Sequence, residues 1–117
     1  MRHRKEGKKF HRISGRRKSF LRNLVNNFIK KESIETTEVR AKAIRPIAEH
    51  LITIAKKGDL ASRRLIMKRV IDPKVTKKIC DDLASRYSAR QGGYTKITKL
   101  AVFKKRDGSS LAKIEFV

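Results

Sequence analysis

Acidic residues are scarce in this chain of 117 residues: 11 Asp and Glu stand against 32 Lys and Arg, leaving a net charge of +21 at pH 7. Tryptophan is absent and cysteine occurs once. Each shortage excludes something. A lone cysteine, Cys80, cannot form an internal disulfide, and it suits a reducing compartment. No apolar run approaches the roughly 18 residues that a membrane-spanning helix needs. The opening stretch MRHRKEGKKFHR has neither the apolar core of a signal peptide nor the repeating apolar face of an organellar presequence. The expected location is therefore the cytoplasm. A membrane-surface role would want a basic helix with bulky interfacial aromatics. Here the charge is spread over the whole chain instead, so no membrane partner is expected.

The parts of an enzyme are missing as well. There is no P-loop and no GxGxxG, and Gly92-Gly93 alone is too weak a pattern to count as either. His3, His11 and His50, with Cys80, show no metal-ligand spacing. Asp81-Asp82 is the one adjacent carboxylate pair, and neighbours on a helix point about 100° apart, so they cannot grip one small site. Their expected role is to balance Lys77, Lys78 and Arg86 on a solvated face. Cys80 lies beside an apolar stripe and reads as a small core residue rather than a nucleophile. No catalysis, cofactor, metal site or small-molecule substrate is expected.

What remains is charge. So much of one sign repels itself, and a polyanionic partner is the simplest remedy. With 38% hydrophobic residues the chain should nonetheless fold. Residues 1–22 hold ten Lys/Arg and one Glu. Residues 1–15 lack apolar periodicity and are expected to form a basic N-terminal arm that an anionic partner orders. Its Arg2, His3, Arg4, Lys8, Lys9 and Arg12, beside Phe10, suit phosphates and bases of structured RNA. Arg16 and Arg17 continue the block into residues 16–117, which read as a single RNA-binding domain.

Within that domain Leu21, Leu24, Val25 and Phe28 recur at helical spacing, predicting a helix from about Arg16 to Lys31. SIETT (33–37) reads as a short strand. A second helix follows, with Thr37 as N-cap and a stripe through Val39, Ala43, Ile47, Leu51 and Ala55. Pro46 inside that stripe should kink it. Gly58-Asp59 punctuates the chain before a third helix, roughly 60–71, burying Leu65, Ile66 and Val70. Asp72-Pro73 opens a fourth, roughly 74–86, with Val75, Ile79, Leu83 and Tyr87 on one face. The period then switches to two. A strand over 94–105 with a bulge, a turn at Arg106-Asp107-Gly108 and a strand in SSLAKIEFV make a hairpin. The expected class is α+β, helices packed on a small antiparallel sheet of about three strands.

The stretch RYSARQGGYTK (86–96) crowds both tyrosines, Arg86, Arg90 and Lys96 around Gly92-Gly93. It is either a plain linker with glycines supplying positive φ, or a surface on which backbone N–H groups and Arg90 meet one phosphate together. Tyr94 is open to two roles, a stacking platform for a base or a hairpin core residue. A DNA architectural protein is the rival reading, but no helix-turn-helix, zinc finger or heptad element is present to set a register on DNA.

Several stretches resemble one family. MRHR at 1–4, LRNL at 21–24, ETT followed by RAK within 35–42, the LIT and IAKKGDL run at 51–60 with Arg63-Arg64, and RYSARQGGYTKITKL at 86–100 are similar to the bacterial large ribosomal subunit protein seventeen family. The resemblance departs at Pro46 and in the closing GSSLAKIEFV. It implies a structural constituent of the large ribosomal subunit, without catalysis, whose partners are the large-subunit ribosomal RNA and neighbouring large-subunit ribosomal proteins. It also implies an N-terminal extension that enters the RNA. Carried over position by position, it points to Arg2, His3, Arg4, Arg12, Arg22, Arg40, Arg63, Arg64, Arg86, Arg90, Tyr94 and Lys96 as RNA contacts.

Overall fold

Helix α1 (Ser14–Lys31) forms where the helical apolar spacing begins, slightly earlier than expected. A computed structural model describes residues 14–103, 108 and 110–117. The arm residues Arg2, His3, Arg4, Lys8, Lys9 and Arg12 lie outside the described residues, as do Arg106 and Asp107 of the expected turn. Val25, Phe28 and Ile29 of α1 are buried. The helix stops at Glu32, a non-glycine residue in the left-handed region (φ 62) whose N–H still reaches the Phe28 carbonyl at 2.7 Å. Such a position favours glycine, so something must hold Glu32 there.

Strand β1 (Ser33–Thr37) follows at once, and the Thr37 side chain accepts from the Arg40 N–H to start helix α2 (Glu38–Ala55). The helix runs through Pro46, which sits on its exposed side. Its buried residues are Ala41, Ile44, Ala48, Leu51, Ile52, Ile54 and Ala55. Val39 and Ile47, expected on that face, are 51% and 37% exposed. The reason is geometric. A step of four residues advances about 40° past a full turn, so the series starts on the exposed side at Val39 and rotates onto the core by Leu51 and Ala55.

Asp59 caps helix α3 (Leu60–Val70), its carboxylate accepting from the Ser62 N–H at 2.7 Å. Ser62, Ile66 and Val70 face inward, while Leu65, expected to be buried, is 39% exposed. Asp72 caps helix α4 (Pro73–Lys77) with Pro73 in its first turn. This helix continues without a break into a π-helical segment (Lys78–Leu83) and a last α turn (Ala84–Arg86). Its apolar residues explain the wide turn. Val75, Ile79, Leu83 and Tyr87 are all buried, at a strict spacing of four. In a pure α-helix that spacing would rotate them off one face, and i→i+5 bonding adds residues per turn and brings them back.

Strands β2 (Thr95–Phe103) and β3 (Ser110–Phe116) pair antiparallel, and β1 adds to the other edge of β3, giving the order β1-β3-β2. Ile114 pairs with Ile34 on one side and Ile97 on the other. The expected bulge appears as a register shift between Lys99 and Phe103. Ile34, Ala112 and Ile114 meet the helices in one core, and Phe116 stacks on Phe28 with centroids 4.4 Å apart. The architecture is α+β, helices against a three-stranded antiparallel sheet, as its sequence pattern implies. Cys80 is half-buried against this core, and burial raises its thiol pKa, which leaves it a poor nucleophile.

Candidate nucleic-acid interface

The few acids decide which cations are left over. Glu32 takes Lys78 at 3.2 Å and also Arg86, whose other nitrogen binds Asp82 at 2.9 Å. The Arg86 bond, ahead of that from Lys78, holds the Glu32 carboxyl below its ordinary range, and the same contacts raise the Arg86 guanidinium further still. This clamp explains why Glu32 tolerates its left-handed backbone. Asp72 takes Lys30 at 3.0 Å, Asp81 takes Arg63 at 3.1 Å, and Glu38 takes Lys42 at 2.8 Å. Across the sheet, Glu115 takes Lys96 at 3.4 Å. Arg86, Arg63 and Lys96, three expected RNA contacts, are thus engaged within the protein.

The RYSARQGGYTK stretch is mainly a clasp. Tyr87 and Tyr94 pack ring to ring at 5.2 Å, and the Tyr87 hydroxyl donates to the Val117 carbonyl at 2.6 Å. Lys56 from the end of α2 donates to the Arg90 carbonyl and to the Tyr94 hydroxyl at 3.1 Å. The N–H and hydroxyl of Thr95 both donate to Glu49, at 3.1 and 2.9 Å, fixing the loop to α2. Tyr94 is 2% exposed, so its ring offers no face to a base. Of its two possible roles it takes the core one, and as a stacking contact it is corrected.

Outside the clasp the loop is open. Gly92 and Gly93 have φ of 82° and 63°, a conformation in which side-chain-bearing residues are strained. Arg90 is exposed, donates from Nε to the Gly92 carbonyl at 3.3 Å, and lays its guanidinium beside Gly93. The bare backbone and the guanidinium therefore share one surface, as the loop's spacing suggests.

Many of the remaining cations lie on two helices, with Lys74 and Lys77 on α4 and Lys57 after α2 also outside any ion pair among the described residues. Among the described residues, Arg16, Arg17, Lys18 and Arg22 of α1, and Arg64, Lys68 and Arg69 of α3, make no ion pair. The two sets converge where the end of α3 meets α1, because Asn26 Nδ2 donates to the Val70 carbonyl at 2.9 Å. Lys18, Arg22 and Arg69 there share the wall of one groove. Arg40 lies apart, its guanidinium 5.1 Å above the Phe20 ring. Sequence reasoning named Arg16, Arg17, Arg22 and Arg64, left Lys68 and Arg69 open between a solvated helix face and an RNA contact, and passed over Lys18. The i, i+4 relation of Lys18 to Arg22 and of Lys68 to Arg64 was the available clue.

The described residues contain no cluster of three or more metal-ligating side chains and no helix long and apolar enough to cross a membrane. A small α+β domain with this charge excess, many of its unpaired cations on α1 and α3, has the character of a basic domain that works against a polyanion. Comparison with known proteins then narrows the class. Residues 20–117 match the family described as Ribosomal protein L17. A large ribosomal subunit protein bL17 from Caldanaerobacter subterraneus subsp. tengcongensis is 49% identical over 110 residues, spanning 94% of this chain and 97% of its own length. Proteins of the same name from a Hydrogenobaculum species and from Thermus thermophilus are 46% and 43% identical, each over all of this chain and 99% of theirs. The chain belongs to the ribosomal protein L17 family.

Proposed function

We propose that this protein is a structural, non-catalytic constituent of the large ribosomal subunit that binds and stabilises large-subunit ribosomal RNA during assembly and translation. It works in the cytoplasm, inside that particle. The observation that carries the reading is the family match over nearly the whole chain, with relatives that bear the subunit's name. The charge distribution supports it. Phosphate contacts from α1, α3 and Arg90 would position the protein and release counterions, making affinity fall steeply with salt. Recognition would rest on RNA shape and 2′-hydroxyls rather than on a short sequence. The basic arm of residues 1–15 extends this footprint beyond the domain of residues 16–117. Exposed Leu60 and Ile71 on the α3 side suit contact with neighbouring ribosomal proteins.

The test is sedimentation of a tagged copy through a sucrose gradient, in moderate and then high salt with magnesium kept. Co-migration with large subunits that survives high salt is the expected result. A copy that sits with free RNA or DNA, or leaves the subunit at modest salt, would favour a general nucleic-acid-packaging protein instead.

A further inference from the structure

We infer that the groove between α1, α2 and the end of α3 receives a single nucleotide of the bound RNA, its base turned out of the stack and into the protein. The inference rests on the RNA-binding reading above and names what that surface takes. Leu21, Val25, Ile47 and Leu51 give the groove, about 280 Å3 in volume, its apolar lining. Lys18, Arg22 and Arg69 complete the wall, and none of the three is held by an acid among the described residues. No acidic side chain lines the groove.

That combination selects its occupant. An apolar peptide side chain would use the floor and leave three cations unanswered. A bare phosphate would use the cations and leave the floor wet. A nucleotide answers both, because it joins a flat, weakly hydrated base to an anion. The groove is also at the small end for organic ligands, fit for a base rather than something larger. Guanidinium planes beside an extruded base add stacking to charge. One more feature agrees. Asn26 lines the groove, and its Oδ1 is buried with no hydrogen-bond partner. An acceptor in that state is costly, and a turn of the Asn26 side chain toward the groove would let an amino or imino edge of a base supply the donor it lacks.

Two measurements test this. First, the full chain carrying p-benzoylphenylalanine in place of Ile47 is bound to large-subunit ribosomal RNA, and separately incorporated into large subunits, then irradiated. The expected product in both is a cross-link to one unpaired nucleotide. A cross-link to a ribosomal protein in the subunit, or none to RNA that is demonstrably bound, overturns the inference. Second, Ile47→Trp fills the groove from a position 37% exposed, where the larger ring can lean to solvent without disturbing the core. It should bind the RNA roughly tenfold more weakly, the scale of one lost base contact. It should also lose protection of that nucleotide from base-specific probes and keep the salt slope. Unchanged affinity and protection in a folded variant would sink the idea. If the unsubstituted chain fails to bind large-subunit RNA at all, the underlying reading fails, and this inference with it.

Discussion

Arg86 and Arg64 are both basic, both on helices, and both were candidates for RNA contact on sequence grounds. The structure separates them. Arg86 holds Glu32 and Asp82, whereas Arg64 is exposed and makes no ion pair among the described residues. Replacing each by Gln removes the same charge, so any difference between the variants measures what that charge was doing. For Arg64→Gln, one lost phosphate contact should lower the slope of log affinity against log salt by roughly 0.7–0.9. At 0.1 M salt that corresponds to about five- to eightfold weaker binding. Stability should stay within about 0.5 kcal/mol, as for most surface changes.

For Arg86→Gln the order reverses. Two ion pairs are lost, with side chains 35%, 37% and 48% exposed. At that exposure each contributes only about 0.2–1 kcal/mol, so the total loss should be about 1 kcal/mol. Glu32 would also lose its stronger anchor while keeping its left-handed backbone. In a chain of this size the expected fall in Tm is about 4 °C, and the salt slope should barely move. Thermal unfolding by circular dichroism and filter binding to large-subunit RNA across a salt series give both quantities. If Arg86→Gln lost nearly a full unit of slope with Tm unchanged, Arg86 would have to abandon its carboxylates for a phosphate. The division between structural and RNA-facing cations would then be wrong.

Acid should loosen the α1 end first. Contacts with Arg86 and then Lys78 hold the Glu32 carboxyl below its ordinary 4.5, so its stabilisation is full above that pH and is lost as pH falls further. The Tm gap between the parent and Glu32→Gln should therefore hold above about pH 4.5 and close progressively as the pH falls below it. Pro46 denies α2 a hydrogen bond, and Pro46→Ala should raise stability by about 1–3 kcal/mol in chemical denaturation. A destabilised variant would show that the proline's constraint on the unfolded chain matters more. Phe28 is fully buried and stacked on Phe116, so Phe28→Ala should cost about 3–5 kcal/mol, read as loss of the cooperative unfolding transition at physiological temperature.

Much of the fold was legible because its signals are local. Thr37, Asp59 and Asp72 cap helices through bonds to N–H groups two or three residues on, and such caps are visible in any short window of sequence. Strand 33–37 and the bulged hairpin were equally local. What the sequence could not show depends on distance along the chain. Glu32 meets Arg86 across 54 positions, and Arg63 meets Asp81 across 18. Nothing near Arg86 or Arg63 marks them as engaged. The fate of Tyr94 was hidden for the same reason, since Lys56 and Tyr87 bury it. Val39 and Leu65 failed differently. Each sits at the edge of an apolar stripe, where a small rotation of the helix decides between core and solvent.

The placement of the acids has a consequence for the free protein. Glu32, Asp72, Asp81 and Asp82 all sit at or beside seams, tying α1 to the α4 region and α3 to the π segment. Lys18 and Arg22 of α1 and Arg69 of α3 then share the wall of one groove that no acidic side chain lines. Two effects of salt oppose each other in the RNA-free chain: screening weakens the seams, and it also weakens the repulsion. Exposed pairs contribute little each, while a net charge of +21 repels across the whole surface. Repulsion should dominate, so Tm of the free chain should rise between about 0.02 and 0.3 M salt, a range in which the Debye length falls well below the span of the domain. RNA should raise it further by mass action. A Tm that falls with salt would mean that the seams outweigh the repulsion, and that the fold does not depend on a polyanion to relieve its charge.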